Sequence, residues 1–70
     1  MNVQDVVGLT GLVTTTIPRG GLGEVRVVVG LGSQSFGAYA SNRGISLPSG
    51  TRVTVVEYLP PRTVVVTADE

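Results

Sequence analysis

Valine returns at every second residue through most of this chain. Val25, Val27 and Val29 alternate with Arg26 and the flanking Glu24, Val53 and Val55 with Arg52 and Thr54, and Val64 and Val66 repeat the pattern near the end. Side chains spaced in this way line one face of a β-strand, whereas a helix would bring its apolar residues back every third or fourth position. β-Branching supports the same choice, because it stiffens χ1 in a helix and packs well on a pleated surface. No stretch carries a helical period. The expected fold class is all-β.

Glycine and proline divide the alternation into five strands. The first is expected from about Val6 to Thr16, with Leu9, Gly11, Val13, Thr15 and Ile17 in one phase. Pro18 has no N–H for a ladder bond and ends it. A bend over Gly20–Gly23 leads into the second strand, roughly Leu22 to Val29, and "GLGS" (Gly30 to Ser33) is short enough to close a hairpin. In the third, "QSFGAYAS", Phe36, Ala38 and Ala40 share one face and Ser35, Gly37 and Tyr39 the other; its small residues permit tight curvature. "NRGISLPSG" (Asn42 to Gly50) reads as a loop anchored in the core by Leu47.

The fourth strand, Thr51 to Leu59, breaks its own phase, since strict alternation after Val53 and Val55 would bury Glu57. A bulge near Val55–Val56 is the simplest repair, and it is expected to turn Val56 and Tyr58 inward and Glu57 to water. "PPR" makes a stiff corner, and the fifth strand, Thr63 to Ala68, points Val64 and Val66 inward. Five curved strands without a substantial helix predict one small closed or nearly closed barrel. Closure also hides strand edges that would otherwise invite aggregation. The expected boundaries are a disordered or linker start over residues 1–5, the barrel over 6–68 and an acidic, mobile tail over 69–70.

Composition then removes most chemistry. A domain of 70 residues buries only about 60% of the surface its unfolded chain exposes, so its core must be efficient. Cysteine and histidine are absent, which removes disulfides and thiolate or imidazole metal sites. Lysine is absent as well, and five arginines balance five acids, so no long-range field gathers nucleic acid or anionic lipid. No apolar run approaches the ~20 residues of a helical membrane span.

The glycine cluster in "TTTIPRGGLGEVRVVVG" (Thr14 to Gly30) raises the question of a phosphate cradle. Such loops need a following helix, and either a lysine or a third glycine at the set spacing. Here the third glycine position holds Arg26, and "EVRVVV" is a strand. The cluster is a bend.

At the level of ordered motifs the chain resembles the C-terminal soluble domain of NfeD-like membrane proteins, a five-stranded OB-fold barrel. The residues that carry the resemblance are Gly8-x-x-Gly11-x-Val13-x-Thr15-x-Ile17-Pro18, Gly23-x-Val25-x-Val27, Ala38-Tyr39-Ala40-Ser41, Leu47-x-x-Gly50-Thr51-x-Val53-x-Val55-Val56 and Val64-x-Val66. The long "PRGGLG" bend and the "YLPPRT" corner depart from the family pattern. The resemblance implies a setting: transmembrane helices ahead of this domain, membrane association with the domain facing the cytoplasm, stomatin- or flotillin-like scaffold proteins as partners, and a part in regulating a membrane protease. It implies no protease within these residues.

The residues themselves support an interaction role over catalysis. Without histidine or lysine, only a carboxylate or the chain terminus could activate a serine or threonine, and Glu24 and Glu57 take outward phases on different strands. No catalytic, cofactor or metal residues are expected. Arg26, Tyr39, Arg43 and Arg52 form the candidate interaction surface, having the Tyr/Arg make-up common at interface hot spots. Val28, outward on strand two, either joins that surface or lies under the long first loop. The alternative is a single-stranded nucleic-acid binder, which needs aromatic platforms in a basic groove. Acids offset the arginines, and only Tyr39 clearly faces out, so nucleic acid is disfavoured.

Overall fold

In a computed structural model describing residues 6–69, the alternating segments form five strands. They are β1 (Thr10–Thr15), β2 (Gly23–Val29), β3 (Gly32–Ala40), β4 (Arg52–Leu59) and β5 (Thr63–Ala68). They close into a barrel in the order β1-β2-β3-β5-β4, with β4 returning to β1. Every pairing is antiparallel except β3 with β5. The expected linker over 1–5 and Glu70 of the expected tail lie outside the described residues.

The core is the valine face. Val13, Val25, Val27, Val53, Val55, Val64 and Val66 are buried, together with Phe36, Ala38 and Ala40 of β3, and among the described residues no buried one is polar or charged. Each fully buried valine contributes on the order of 1.5–3 kcal/mol. Ile17 and Leu47 plug the end where β2 begins. Their backbones form an isolated bridge in which each N–H donates to the other's carbonyl at 2.9 Å. Val6 is buried at the opposite end, where Gly8 N–H donates to the Val55 carbonyl.

The bend between β1 and β2 is a turn in which Gly21 N–H donates to the Pro18 carbonyl at 2.9 Å. Gly20 occupies its third position with φ 68°, where a side chain would be strained. The β2–β3 hairpin turns on two residues, Gly30 and Leu31, between paired Val29 and Gly32.

Four details differ from the sequence expectation. First, β1 starts at Thr10, and the segment from Val6 is a turn rather than strand, in which Leu9 N–H donates to the Val6 carbonyl at 3.0 Å. Second, Thr15 is exposed instead of inward, because the β1–β2 register slips between Val13 and Thr15. Third, the bulge in β4 lies where expected, between Val55 and Glu57. It is Val56 itself that it expels: this residue is 44% exposed, while Glu57 faces water and Tyr58 packs half-buried on the core. A bulge must leave one residue unpaired, and expelling a valine lets the longer tyrosine reach inward. Fourth, Asp69 is held rather than loose, since its N–H donates to the Arg52 carbonyl and its carboxylate accepts from the Thr54 hydroxyl.

The bulge gives a neighbour test. Val56→Thr is expected to change stability by less than about 0.5 kcal/mol, as surface changes do. Val55→Thr buries a hydroxyl among valines and is expected to cost about 1–3 kcal/mol. Urea titration of both variants measures the difference, and equal losses would mean that Val56 is packed inside.

Candidate functional site

The outward phase of β1 carries Thr10, Leu12 and Thr14, and the barrel order places this strand between β2 and β4. Leu12 therefore sits directly opposite Arg26 on one side and Arg52 on the other. Two residues beyond Arg26, Val28 points outward beside Ser33 of β3. The result is a surface groove of about 450 Å³ lined chiefly by Thr10, Leu12, Thr14, Arg26, Val28 and Arg52. Its floor is apolar, with Leu12 46% and Val28 61% exposed. The long first loop does not cover Val28.

Thr10 and Thr14 flank Leu12 along β1, and Ser33 flanks Val28 on β3, so short side chains border the accessible leucine and valine. Among the carboxylates bordering this wall, Glu24 accepts from the Thr15 hydroxyl at 3.5 Å, and Asp69 from the Thr54 hydroxyl at 2.6 Å.

Tyr39 and Arg43 lie elsewhere. Ser35 is the cross-strand partner of Arg26, and Tyr39 is four residues further along β3, opposite Val65 of β5. The Arg43 guanidinium stacks over the Tyr39 ring, 4.8 Å from its centroid. An Asx turn supports it, with Gly44 N–H donating to Asn42 Oδ1 at 2.9 Å. An exposed cation–π contact of this kind contributes about 0.5–1 kcal/mol. The four arginine and tyrosine positions thus divide into two surfaces: Arg26 with Arg52 over Leu12, and Tyr39 with Arg43 beside β5.

The aromatic residues offer no open stacking platform on the groove. Phe36 is buried, Tyr39 lies under Arg43, and the Tyr58 hydroxyl donates to the Pro61 carbonyl at the β4–β5 corner. Arg19 lies in the turn before β2 and Arg62 at the corner before β5, away from the groove lining. Among the described residues, no group of three or more carboxylates is gathered as a metal site, and no helix is long and apolar enough to cross a membrane.

Leu12 is the residue that sequence reasoning left out. Alternation with Gly11 and Val13 already placed it outward, but nothing local indicated the arginines that flank it.

Comparison with known proteins bears on this site. The family model described as the NfeD C-terminal domain matches residues 10–67. The soluble domain of the NfeD protein YuaF from Bacillus subtilis is 31% identical, with a TM-score of 0.83 over 96% of this chain and 77% of that one. The C-terminal domain of stomatin operon partner protein 1510-C from Pyrococcus horikoshii has a TM-score of 0.79 at 21% identity, over 100% of this chain and 98% of that one, a likeness of fold. No curated protein matches the sequence.

Proposed function

The chain belongs to the NfeD C-terminal domain family, and from that premise we propose that it is a non-catalytic protein-interaction domain of a membrane-anchored NfeD-like protein. In this reading it contacts stomatin- or flotillin-type scaffold proteins and takes part in regulating a membrane protease. The observation that carries it is the family match over residues 10–67, nearly the whole barrel. The name of the Pyrococcus relative, a stomatin operon partner, supports the class of partner. The chemistry agrees: a sequence without histidine, lysine or cysteine has no ready base or thiol nucleophile. What the outer wall does offer is an accessible apolar strip bordered by arginine, a composition suited to contact with protein.

A pull-down from membranes with the anchored protein as bait tests the reading. Recovery of a stomatin- or flotillin-like protein is the expected result, and its absence would overturn the proposed partner class. Tyr39→Ala and Arg52→Ala, made separately, distinguish the two surfaces. Recovery is expected to fall severalfold for Arg52→Ala and to persist for Tyr39→Ala. The reverse pattern would assign contact to the β3–β5 side.

A further inference from the structure

The geometry points to the groove over Leu12 as the seat of a short, extended segment of a partner protein that carries an apolar side chain between two carboxylates. This rests on the interaction reading above and specifies the chemistry of what is bound.

Three observations fix that chemistry. The first is register: Leu12 pairs with Arg26 across one ladder and with Arg52 across the other. Adjacent strands lie about 4.8 Å apart, so the two arginine backbones stand about 10 Å apart with the leucine midway. A helix with its side chains is about 10–12 Å wide and does not fit between them, whereas one extended chain does. The second is the floor, where Leu12 and Val28 remain accessible in a groove of about 450 Å³, within the usual range for a ligand site.

The third is charge. The charged residues that line the groove are Arg26 and Arg52, both cationic. Two bordering carboxylates, Glu24 and Asp69, already accept hydrogen bonds from threonine hydroxyls. Each guanidinium presents a planar fork that matches a carboxylate, and the apolar gap between the two forks calls for an apolar group between two acids. A single phosphate would need donors that converge, and here Leu12 separates them. Stacked nucleotide bases would need an aromatic, and the groove lining contains none.

The test uses a fluorescein-labelled heptapeptide, Gly-Glu-Ser-Leu-Ser-Glu-Gly, whose leucine and two glutamates share one face of an extended chain, titrated into the isotopically labelled chain. Expected are amide shift changes confined to Thr10–Thr14, Arg26–Val28 and the start of β4, with binding that weakens as salt rises. Replacing both glutamates of the peptide by glutamine is expected to weaken binding about tenfold, the sum of two exposed ion pairs. Replacing its leucine by serine, or introducing Leu12→Ser, Arg26→Glu or Arg52→Glu in the protein, is expected to weaken it at least as much. All three protein positions face solvent, and a dispersed spectrum verifies that each variant is folded.

No shift change at millimolar peptide, equal binding of the glutamine peptide, or changes centred beside Tyr39 would each overturn the proposal. So would sedimentation with phosphatidylserine–phosphatidylcholine vesicles through the fully exposed Leu31 without any peptide response, which would make this end a lipid contact. The same variants in the membrane pull-down keep the two readings apart. Scaffold recovery that survives Arg26→Glu with Arg52→Glu sinks the groove and leaves the interaction role standing. Peptide binding without scaffold recovery sinks the partner class and leaves the groove standing.

Discussion

Gly23→Ala is expected to destabilise the barrel by about 3 kcal/mol, a large share of the ~4–10 kcal/mol available to a domain of this size. A Cβ at Gly23 would lie 2.6 Å from the Thr15 carbonyl oxygen, 2.6 Å from Ile17 Cγ1 and 2.7 Å from Ile17 Cα. Two of those three atoms are backbone, so no rotamer change removes the conflict. Nor is the backbone free to retreat, because Thr15 is paired with Glu24 and Ile17 is bridged to Leu47. A loss of that size lowers the melting temperature by roughly 12–24 °C, taking about 4–8 °C per kcal/mol for a small domain. Gly32→Ala is the control, since a Cβ there meets nothing within 4 Å and its φ is not positive. Thermal unfolding of the two variants decides the matter, and similar melting temperatures would show that the β1–β2 return has room to spare.

Ile17→Ala is expected to cost about 3–4 kcal/mol, within the range for truncating a buried isoleucine. Ile17 is fully buried, and its side chain fills the barrel end over which Leu47 closes. Its truncation leaves a hole that the paired backbone cannot collapse into, since both bridge hydrogen bonds hold the chain at 2.9 Å. The loop from Asn42 to Gly50 should then lose amide protection first, because Leu47 is its only buried residue. Combined with Gly23→Ala the costs should sum to less than additive, as the truncation removes one of the three close contacts. Hydrogen exchange and urea titration read these outcomes. A loss below about 1 kcal/mol with the loop still protected would contradict the plug.

How much of this was legible in the sequence depends on whether a feature is local. The valine phases of β2, β4 and β5 were readable residue by residue, because each strand buries one face whatever its neighbour. The β4 bulge was readable too, since without it a carboxylate would point into a valine core. Its occupant was not, because either Val56 or the residues after it could absorb the extra length. The slip in β1 left no signal at all: Thr15 is content on either face, so its phase carries no energy to read. The site fared likewise. Arg26, Tyr39, Arg43 and Arg52 could each be named as candidates from residue type and strand phase or loop position alone. Their division into two surfaces depends on β1 lying between β2 and β4 and on β3 lying beside β5, pairings between segments far apart in the chain. A lone outward leucine is ordinary on a protein surface, and Leu12 gains meaning only from the two arginines that the barrel brings to it.

The β1–β4 pairing is the join that turns a curled sheet into a tube. Arg26 reaches Leu12 from the adjacent strand in sequence, whereas Arg52 is brought beside it only by the pairing of β1 with β4. The two jaws around the leucine thus exist together only in the fully shut form. Anything gripping both would act as a clasp across the join, holding the tube closed by the free energy of its own attachment.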